Sequence, residues 1–193
     1  MNQKIIFILV ALLILLLVIF GYVSQKGGED GVVEEKWGSK NYKSENYGLA
    51  FNYSEDYFLE EKIIKGKDGD YYLISLTEDT EENRLVREGK APGREGPVSI
   101  EIKIYENTNP KKAILEWVQG VEDSNFKISN GKYEFINVNE ERGLRYHWSG
   151  LYEADSWVVG HKGKIVSFTV QYISVEDSIF KDFGKFINGV KFF

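Results

Sequence analysis

The stretch that decides the fold lies at residues 143–172 and reads GLRYHWSGLYEADSWVVGHKGKIVSFTVQY. Its three runs, residues 143–152, 156–161 and 164–172, are predicted to be strands, and in the first run Leu144, Tyr146, Trp148 and Tyr152 fall on one face with the period of two that is typical of β-strands. The segment His161-Lys162-Gly163-Lys164 separates the last two runs and predicts a tight turn. Because consecutive hairpins place neighbouring strands in opposite directions, the sequence predicts a mainly antiparallel sheet.

Further strands are predicted upstream of this stretch. In residues 98–105 the apolar residues share one face, and we expect the opposite face to be solvated, as on an edge or half-exposed strand. The turn Asn130-Gly131 predicts another hairpin. The predicted strands are residues 49–53, 57–64, 71–77 and 98–105, and the predicted hairpin joins residues 126–128 to residues 133–138.

Two helices are predicted from apolar residues that recur with helical spacing. The first begins at Asn109-Pro110 and ends at Gly120. The second begins near Ser174 and ends at Asn188-Gly189. Residues 78–97 show no periodicity and are predicted to form a long mobile loop or an excursion from the sheet. Helices that cover a mainly antiparallel sheet define the α+β class.

The N-terminal segment has a different composition. Residues 5–20 are all apolar, and Lys4 and Lys26 bracket an uncharged run. As a helix, residues 5–23 would span roughly 28 Å, close to the hydrocarbon thickness of a bilayer. We therefore predict a transmembrane anchor in contact with the lipid bilayer, which includes Ile5, Phe7, Leu12, Leu16, Phe20 and Val23.

This anchor sets the predicted organisation of the chain. Residues 1–4 form a cytoplasmic head, residues 24–40 a flexible linker rich in glycine and charge, and residues 41–193 an extracytoplasmic α+β domain on the cell membrane. A cleaved signal peptide is the competing interpretation, although its apolar core would be shorter and residues 21–25 make a poor cleavage site. Both interpretations remain open.

Charge and cysteine content exclude several functions. Beyond Lys26 the chain carries 22 basic and 30 acidic residues, a net charge of −8. Because a protein needs a basic face to bind a polyanion, we expect no nucleic-acid partner. The chain has no cysteine, which excludes disulfides, thiol catalysis, thiolate metal sites and a lipidated N-terminal cysteine.

Few residues suggest catalysis or metal binding. Arg145, His147 and Ser149 share one face of a predicted strand, but strand neighbours on one face lie about 7 Å apart, too far for a direct bond between serine and histidine. His161 lies beside lysines that disfavour a bound cation. The acidic run at residues 78–83 lacks the spacing of a calcium loop, and calcium binding there stays open. We therefore predict no catalytic, metal or cofactor-binding residues.

Aromatic residues are the more informative excess. Tyr146, Trp148, Tyr152 and Trp157 surround one predicted hairpin. If they are exposed, their rings offer a surface for a sugar or a peptide; if they are buried, they belong to the core. Their alternation with polar residues favours the core. We keep the four residues as a possible ligand or partner surface.

Two segments resemble a known family. Residues 47–57 read Tyr-Gly-Leu-Ala-Phe-Asn-Tyr-Ser-Glu-Asp-Tyr, and the last predicted helix is followed by Val190-Lys191-Phe192-Phe193. Both segments resemble PsbP-like proteins with the Mog1/PsbP fold, over residues 42–193, although Ser54 replaces the usual proline and Tyr57 the usual tryptophan. The resemblance implies a sheet of about six strands between helices and a mostly non-catalytic family. It carries no functional residue over to this chain.

These observations support three functional hypotheses. The first is a membrane-anchored, extracytoplasmic, non-catalytic domain that binds or stabilises an unknown membrane or envelope protein at the membrane surface. The second is an envelope module that binds a small ligand or carbohydrate through the aromatic hairpin from Tyr146 to Trp157. The third is a hydrolase that uses His147 or His161.

Overall fold

The structure is a computed structural model that describes residues 40–91, 95–106 and 113–193. The chain divides into two units, Met1–Lys36 and Trp37–Phe193. The first unit, with the anchor predicted at residues 5–23, lies outside the described residues.

The described residues contain ten strands, three α-helices and two 3-10 turns. The strands are β1 (Lys40–Ser44), β2 (Leu49–Tyr53), β3 (Tyr57–Gly66), β4 (Gly69–Glu78), β5 (Ile100–Glu106), β6 (Glu134–Val138), β7 (Glu141–Ser149), β8 (Glu153–His161), β9 (Lys164–Tyr172) and β10 (Lys191–Phe192). The helices are α1 (Glu81–Arg87), α2 (Ile114–Gly120) and α3 (Ser178–Gly189), and the 3-10 turns are Glu122–Ser124 and Phe126–Ile128.

The strands form two antiparallel sheets within the described residues. The main sheet has seven strands in the order β3-β4-β5-β9-β8-β7-β6, and the small sheet has the order β1-β2-β10. The predicted hairpin of β8 and β9 is confirmed, since Lys162 and Gly163 form its turn with φ angles of 44° and 78°. Left-handed φ angles at both central residues suit a tight hairpin turn. The predicted mainly antiparallel α+β fold is confirmed.

One face of the main sheet, called the α3 face, is covered by α3 and the small sheet. Phe168 of β9 packs against Phe186 of α3 and Phe192 of β10, with ring centroids 6.0 and 6.3 Å apart. The helical stripe predicted for α3 is confirmed, because Ile179, Phe183, Phe186 and Ile187 are all buried. This layer holds the larger of the two hydrophobic cores.

The opposite face, called the α2 face, is covered unevenly. Trp117 and Val118 of α2 pack with Leu144, Val158 and other residues into a smaller core. By the strand register, that core lies over the half of the face that is farther from α1. The half nearer α1 carries polar side chains.

Residues 78–97 contain a helix, so the prediction of a loop throughout this segment was wrong. The Thr80 hydroxyl accepts a hydrogen bond from the Asn83 N–H at 3.2 Å and caps α1. Arg84 pairs with Glu81 and Glu88 at 2.6 and 2.8 Å. None of the helix's own residues is buried, so α1 has no apolar stripe that a periodicity search could detect.

β5 is a central strand and not an edge strand, so the expectation that one face of residues 98–105 is solvated was wrong. It lies between β4 and β9 in the main sheet. Ile100, Ile102 and Ile104 are buried, as predicted. On its polar face the side chains of Glu101 and Lys103 are only 20% and 17% exposed and pair at 3.1 Å. The polar face is therefore largely shielded from solvent.

Residues 126–128 form a 3-10 turn, so the hairpin predicted around Asn130-Gly131 was wrong. The turn itself exists, with φ angles of 57° and 68°. Phe126 does not pair with a strand among the described residues. Its ring instead packs edge-on against Tyr146, with centroids 5.1 Å apart. β6 instead forms a hairpin with β7, through a turn in which Asn139 has a φ of 52°.

The predicted helix ends are partly confirmed. α2 ends at Gly120 and α3 at Gly189, as expected, whereas the start predicted at Asn109-Pro110 lies outside the described residues. The start predicted near Ser174 was wrong, because α3 begins at Ser178. The Asp177 carboxylate accepts the N–H groups of Ile173 and Ser174 at 2.9 and 3.0 Å, which fixes those residues in the preceding turn.

Candidate functional site

The four predicted aromatic residues do not share one surface. Tyr146 and Trp148 lie on the α2 face of β7, whereas Trp157 of β8 lies on the α3 face. Tyr152 belongs to the turn between β7 and β8 rather than to the strand in which it was predicted. The structure brings only Trp148 and Tyr152 together, at one open groove.

Tyr146 is a core residue. Its side chain is 3% exposed, and its hydroxyl donates a hydrogen bond to the Ser124 carbonyl oxygen at 2.6 Å. Burial raises the pKa of this hydroxyl above its usual range. Because its ring is enclosed by the smaller core, Tyr146 has no face available for a ligand.

Trp157 supports the other core. Its ring meets Phe183 of α3 edge-on, with centroids 6.3 Å apart. The Arg145 guanidinium lies 5.8 Å from the centre of the ring. Trp157 therefore helps to hold α3 against the main sheet and lies across the sheet from the groove.

Trp148 and Tyr152 form the first wall of the groove. The Trp148 indole N–H donates to the Ser156 hydroxyl at 2.9 Å, and the Tyr152 hydroxyl donates to the Gly96 carbonyl oxygen at 2.9 Å. The Ser156 hydroxyl lies a further 2.8 Å from that of Thr169. These bonds fix both rings, so the wall is formed before any ligand arrives.

Arg87 of α1 forms the opposite wall. Its guanidinium lies 4.1 Å from the centre of the Phe58 ring and 2.5 Å from the Asp79 carboxylate. The same group reaches the Thr77 hydroxyl at 3.4 Å. The side chain is 18% exposed, so these contacts hold most of its length against the sheet.

The floor of the groove is the polar half of the α2 face. The strand register, continued by one residue beyond Leu76, Ile100 and Val170, places Thr77, Ser99 and Gln171 in one row, with Ser75 and Glu101 in the row before it. Ser99 is 4% exposed and donates to the Gln171 side-chain oxygen at 3.4 Å. The groove between the walls encloses about 430 Å³.

Charged groups around the groove occur in pairs. Glu60 lies 3.5 Å from Lys62 on β3, in addition to the pairs Glu101–Lys103 and Asp79–Arg87 described above. Each pair balances one positive charge against one negative charge. The groove therefore offers many hydrogen-bonding groups without an excess of either charge.

Most of this groove was missed by the sequence analysis. The aromatic excess identified Trp148 and Tyr152. The floor was not identified, since alternating serine, threonine and glutamine residues also occur on solvated strand faces. The sequence of β9 could have indicated the floor. Ser167, Thr169 and Gln171 make one face of this strand polar, although the residues between them are apolar and typical of a core.

His147 lies in a separate polar cluster on the α3 face. Its ring nitrogens lie 2.9 Å from Glu153 and 2.9 Å from Asp155. Ser149 shares this face, as predicted, but its hydroxyl donates to Glu153 at 2.9 Å. Serine and histidine therefore meet the same carboxylate, and neither reaches the other as a nucleophile and base would.

His161 is buried at the far end of the main sheet, 7% exposed. Its Nδ1 lies 2.7 Å from the Glu141 carboxylate, and its Nε2 lies 3.4 Å from the Phe193 carbonyl oxygen. The ring also packs on Phe192, with centroids 4.8 Å apart. These contacts tie β8 to the strand that completes the small sheet.

The acidic run at residues 78–83 is engaged in local contacts. Asp79 pairs with Arg87, Glu81 pairs with Arg84, and Glu78 accepts a hydrogen bond from Ser178. In the described ranges no group of three or more histidine or acidic residues is placed to hold a metal ion. Within the same ranges no helix has the length and apolar character needed to cross a membrane.

Comparison with known proteins identifies the fold. No protein family and no curated protein matches the sequence. The structure is similar to the solution structure of cyanobacterial PsbP (CyanoP) from Synechocystis sp. PCC 6803. The similarity covers 80% of this chain and 92% of that chain, with a TM-score of 0.50 and 10% sequence identity. At this identity the similarity shows the fold alone. The chain therefore has a PsbP-like fold.

Proposed function

We propose that this chain is a membrane-tethered, extracytoplasmic domain without catalytic activity that binds a protein partner at the membrane surface. The apolar run at residues 5–23 supports the tether, with the N-terminus in the cytoplasm. The separation of Ser149 from His147 supports a non-catalytic role. The position of the exposed aliphatic residues supports partner binding.

Three exposed aliphatic side chains carry this proposal. Leu151 is 68% exposed, Ile173 74% and Val175 55%. Leu151 lies in the turn before β8, and the other two follow β9, so the register of these strands places all three at the same end of the main sheet. Grouped apolar side chains on a soluble surface are typical of an interaction site.

The chain enters the domain at this same end. The ammonium group of Lys40, the first described residue, lies 3.1 and 3.4 Å from the carbonyl oxygens of Glu55 and Tyr57. Tyr57 begins β3 and is paired with Glu78 at the end of β4. The linker predicted for residues 24–40 would hold this end at an average of roughly 20 Å from a bilayer, within reach of a membrane protein.

The charge of the domain indicates the chemistry of the partner. The chain beyond Lys26 has a net charge of −8. Glu153 and Glu176 flank the aliphatic residues in sequence. Because opposite charges around an apolar centre favour association, we expect the partner to present an apolar patch with basic residues around it.

Co-purification from membranes tests this proposal. The full chain would be extracted in mild detergent as wild type, Leu151→Glu, Ile173→Glu and Ile63→Glu. Ile63 is the matched control, because it is also 68% exposed but lies on β3, away from the aliphatic group. We expect Leu151→Glu and Ile173→Glu to lose the partner at least about tenfold, which corresponds to about 1.4 kcal/mol. Ile63→Glu should retain it.

Two outcomes would contradict the proposal. One is equal recovery of the same protein with all three variants, which would show that the aliphatic residues do not contact it. The other is a wild-type chain that is extracted from the membrane without any co-purifying protein. For a partner with basic residues, recovery should also fall as ionic strength rises, because salt screens exposed charges.

A further inference from the structure

We infer that the groove between Trp148 and Arg87 binds a neutral, polyhydroxylated ligand of the saccharide class. This site lies on the α2 face and shares Leu151 with the partner surface proposed above, but it takes a small ligand rather than a protein. Four features of the groove point to such a ligand: the composition of its floor, its fixed aromatic wall, its balance of charge and its size.

The floor is polar at positions that the fold shields from water. Ser99 is 4% exposed, as low as many core residues, yet it carries a hydroxyl group, and Ser75, Thr77 and Gln171 line the groove beside it. The adjoining half of the same face is filled by apolar residues such as Leu144 and Val158. A polar group at a shielded position costs free energy unless it is hydrogen-bonded. A row of such groups beside an open groove matches a ligand with many hydroxyls.

Hydroxyl and amide groups suit such a ligand because they donate and accept hydrogen bonds. Ser75, Thr77 and Gln171 line the groove and each has both capacities. A sugar hydroxyl also donates and accepts, so it can pair with any of them in either direction. A ligand that only accepts, such as sulfate, could pair with the hydroxyl hydrogens and the amide N–H groups alone.

The aromatic wall provides the apolar contact that a sugar ring needs. One face of a pyranose ring presents mainly C–H groups, which pack against the flat face of tryptophan or tyrosine. The hydrogen bonds of Trp148 and Tyr152 to Ser156 and Gly96 hold both rings in place. Little side-chain entropy is then lost when a ligand binds.

The paired charges select against ionic ligands. Glu60, Glu101 and Arg87 each have an oppositely charged neighbour within 3.5 Å. An anion would have to compete with a carboxylate for Arg87, and a cation would have to compete with a lysine for Glu60 or Glu101. Paired carboxylates still accept hydrogen bonds from neutral hydroxyls, and those bonds are stronger than neutral ones.

The size of the groove limits the length of the ligand. A volume of about 430 Å³ lies in the lower part of the range of small-molecule sites. It suits a ligand of roughly one or two sugar rings. The groove remains open to solvent between its walls, so a longer chain could extend out of it.

Binding to defined sugars tests the inference. The full chain would be purified in a detergent without a sugar headgroup, and binding of cellobiose and N,N′-diacetylchitobiose would be measured by calorimetry and ligand-observed NMR. Glucuronic acid and glucosamine serve as the charged probes. We expect at least one neutral disaccharide to bind at millimolar or lower concentration and both charged probes to bind at least about tenfold more weakly.

Three variants locate the site. Tyr152→Ala removes half of the aromatic wall and should weaken binding about fivefold to tenfold. Thr77→Val keeps the shape of the side chain, removes one hydroxyl and should weaken binding about fivefold. Tyr133→Ala is the control, since Tyr133 is 37% exposed and does not line the groove, and it should change nothing.

The inference is overturned if neither neutral disaccharide binds, if only a charged probe binds, or if Tyr152→Ala and Thr77→Val bind like Tyr133→Ala. None of these results bears on the partner experiment, because sugar binding is measured with the purified chain alone. The two proposals can therefore fail independently.

Discussion

Gly48 shows how one residue decides whether two distant segments can meet. Its φ is +60°, in the left-handed region that favours glycine. A Cβ atom added there would lie 2.7 Å from the Phe193 carbonyl oxygen and 3.1 Å from His161 Nε2. The Gly48 carbonyl oxygen also accepts the Phe193 N–H at 3.1 Å. A side chain at this position would therefore push apart the contact that holds the end of β10.

Replacing Gly48 should measure that contact. We expect Gly48→Ala to lower the free energy of unfolding by about 2–3 kcal/mol, because it adds a steric clash to the cost of the left-handed backbone. Urea denaturation followed by circular dichroism would give the value. Gly131→Ala is the matched control: its φ is +68° but nothing lies within 4 Å of the added Cβ.

The control should lose only about 1 kcal/mol, the cost of the backbone conformation alone. Equal losses in Gly48→Ala and Gly131→Ala would contradict the argument. They would show that the end of β10 moves away without cost and that the contact with Phe193 is not part of the stable fold.

At the scale of elements, α1 depends on its cap and its ion pairs. The helix has seven residues, none of them buried, so packing of its own side chains supplies little stability. Thr80→Ala removes the acceptor for the Asn83 N–H and should destabilise the helix by about 1 kcal/mol. We expect amide hydrogens of residues 81–88 to exchange roughly fivefold faster, measured by hydrogen–deuterium exchange.

Thr80→Ser is the control for this change, since serine keeps the hydroxyl and caps helices at least as well. Its exchange rates should equal those of the wild type. If Thr80→Ala exchanges no faster than Thr80→Ser, the cap does not support α1, and the ion pairs of Arg84 with Glu81 and Glu88 hold the helix instead.

The sequence predicted elements that bury a regular stripe and missed those that do not. The stripe of α3 and the alternation of β9 each follow from burial, so periodicity detects them. α1 buries none of its own residues, and only Thr80 with the charges after it marks the helix. Phe126 and Ile128 alternate like a strand, but three residues are too few to separate a strand from a 3-10 turn.

The candidate site was predicted in part for the same reason. The aromatic excess led to Trp148 and Tyr152, but sequence does not show that Trp157 points to the other side of the sheet until its register with Arg145 is known. The floor combines residues that are distant in sequence, Ser75 and Thr77 of β4 and Ser99 just before β5. Their polar pattern also occurs on ordinary solvated strand faces. The groove arises from tertiary pairing, which no local pattern encodes.

At the scale of the whole molecule, buried tyrosines make the fold sensitive to alkali. Burial raises the pKa of Tyr57, and the neighbouring Asp182 carboxylate raises it further. Burial also raises the pKa of Tyr172 to about 12. Above about pH 10 unfolded tyrosines release protons that the folded chain retains. The unfolded state then binds fewer protons, so the free energy of unfolding falls as pH rises.

Urea denaturation at about pH 8, 10 and 11 would measure this fall. The stabilising contribution of these tyrosines should be complete below about pH 10 and lost as pH rises toward about 12. Tyr172→Phe is the comparison, because it removes one hydroxyl with a raised pKa and should reduce the fall. A free energy of unfolding that stays constant or rises over this range would contradict the prediction.

The position of β10 in the chain decides when the small sheet can be completed during synthesis. Lys191 and Phe192 pair with Ala50 and Leu49, so the strand that is made last joins a hairpin that is made first. Until β10 has been synthesised, β2 has no partner on one side. The small sheet beside α3 is then incomplete. The small sheet of this domain is therefore completed only after residue 192 has been synthesised.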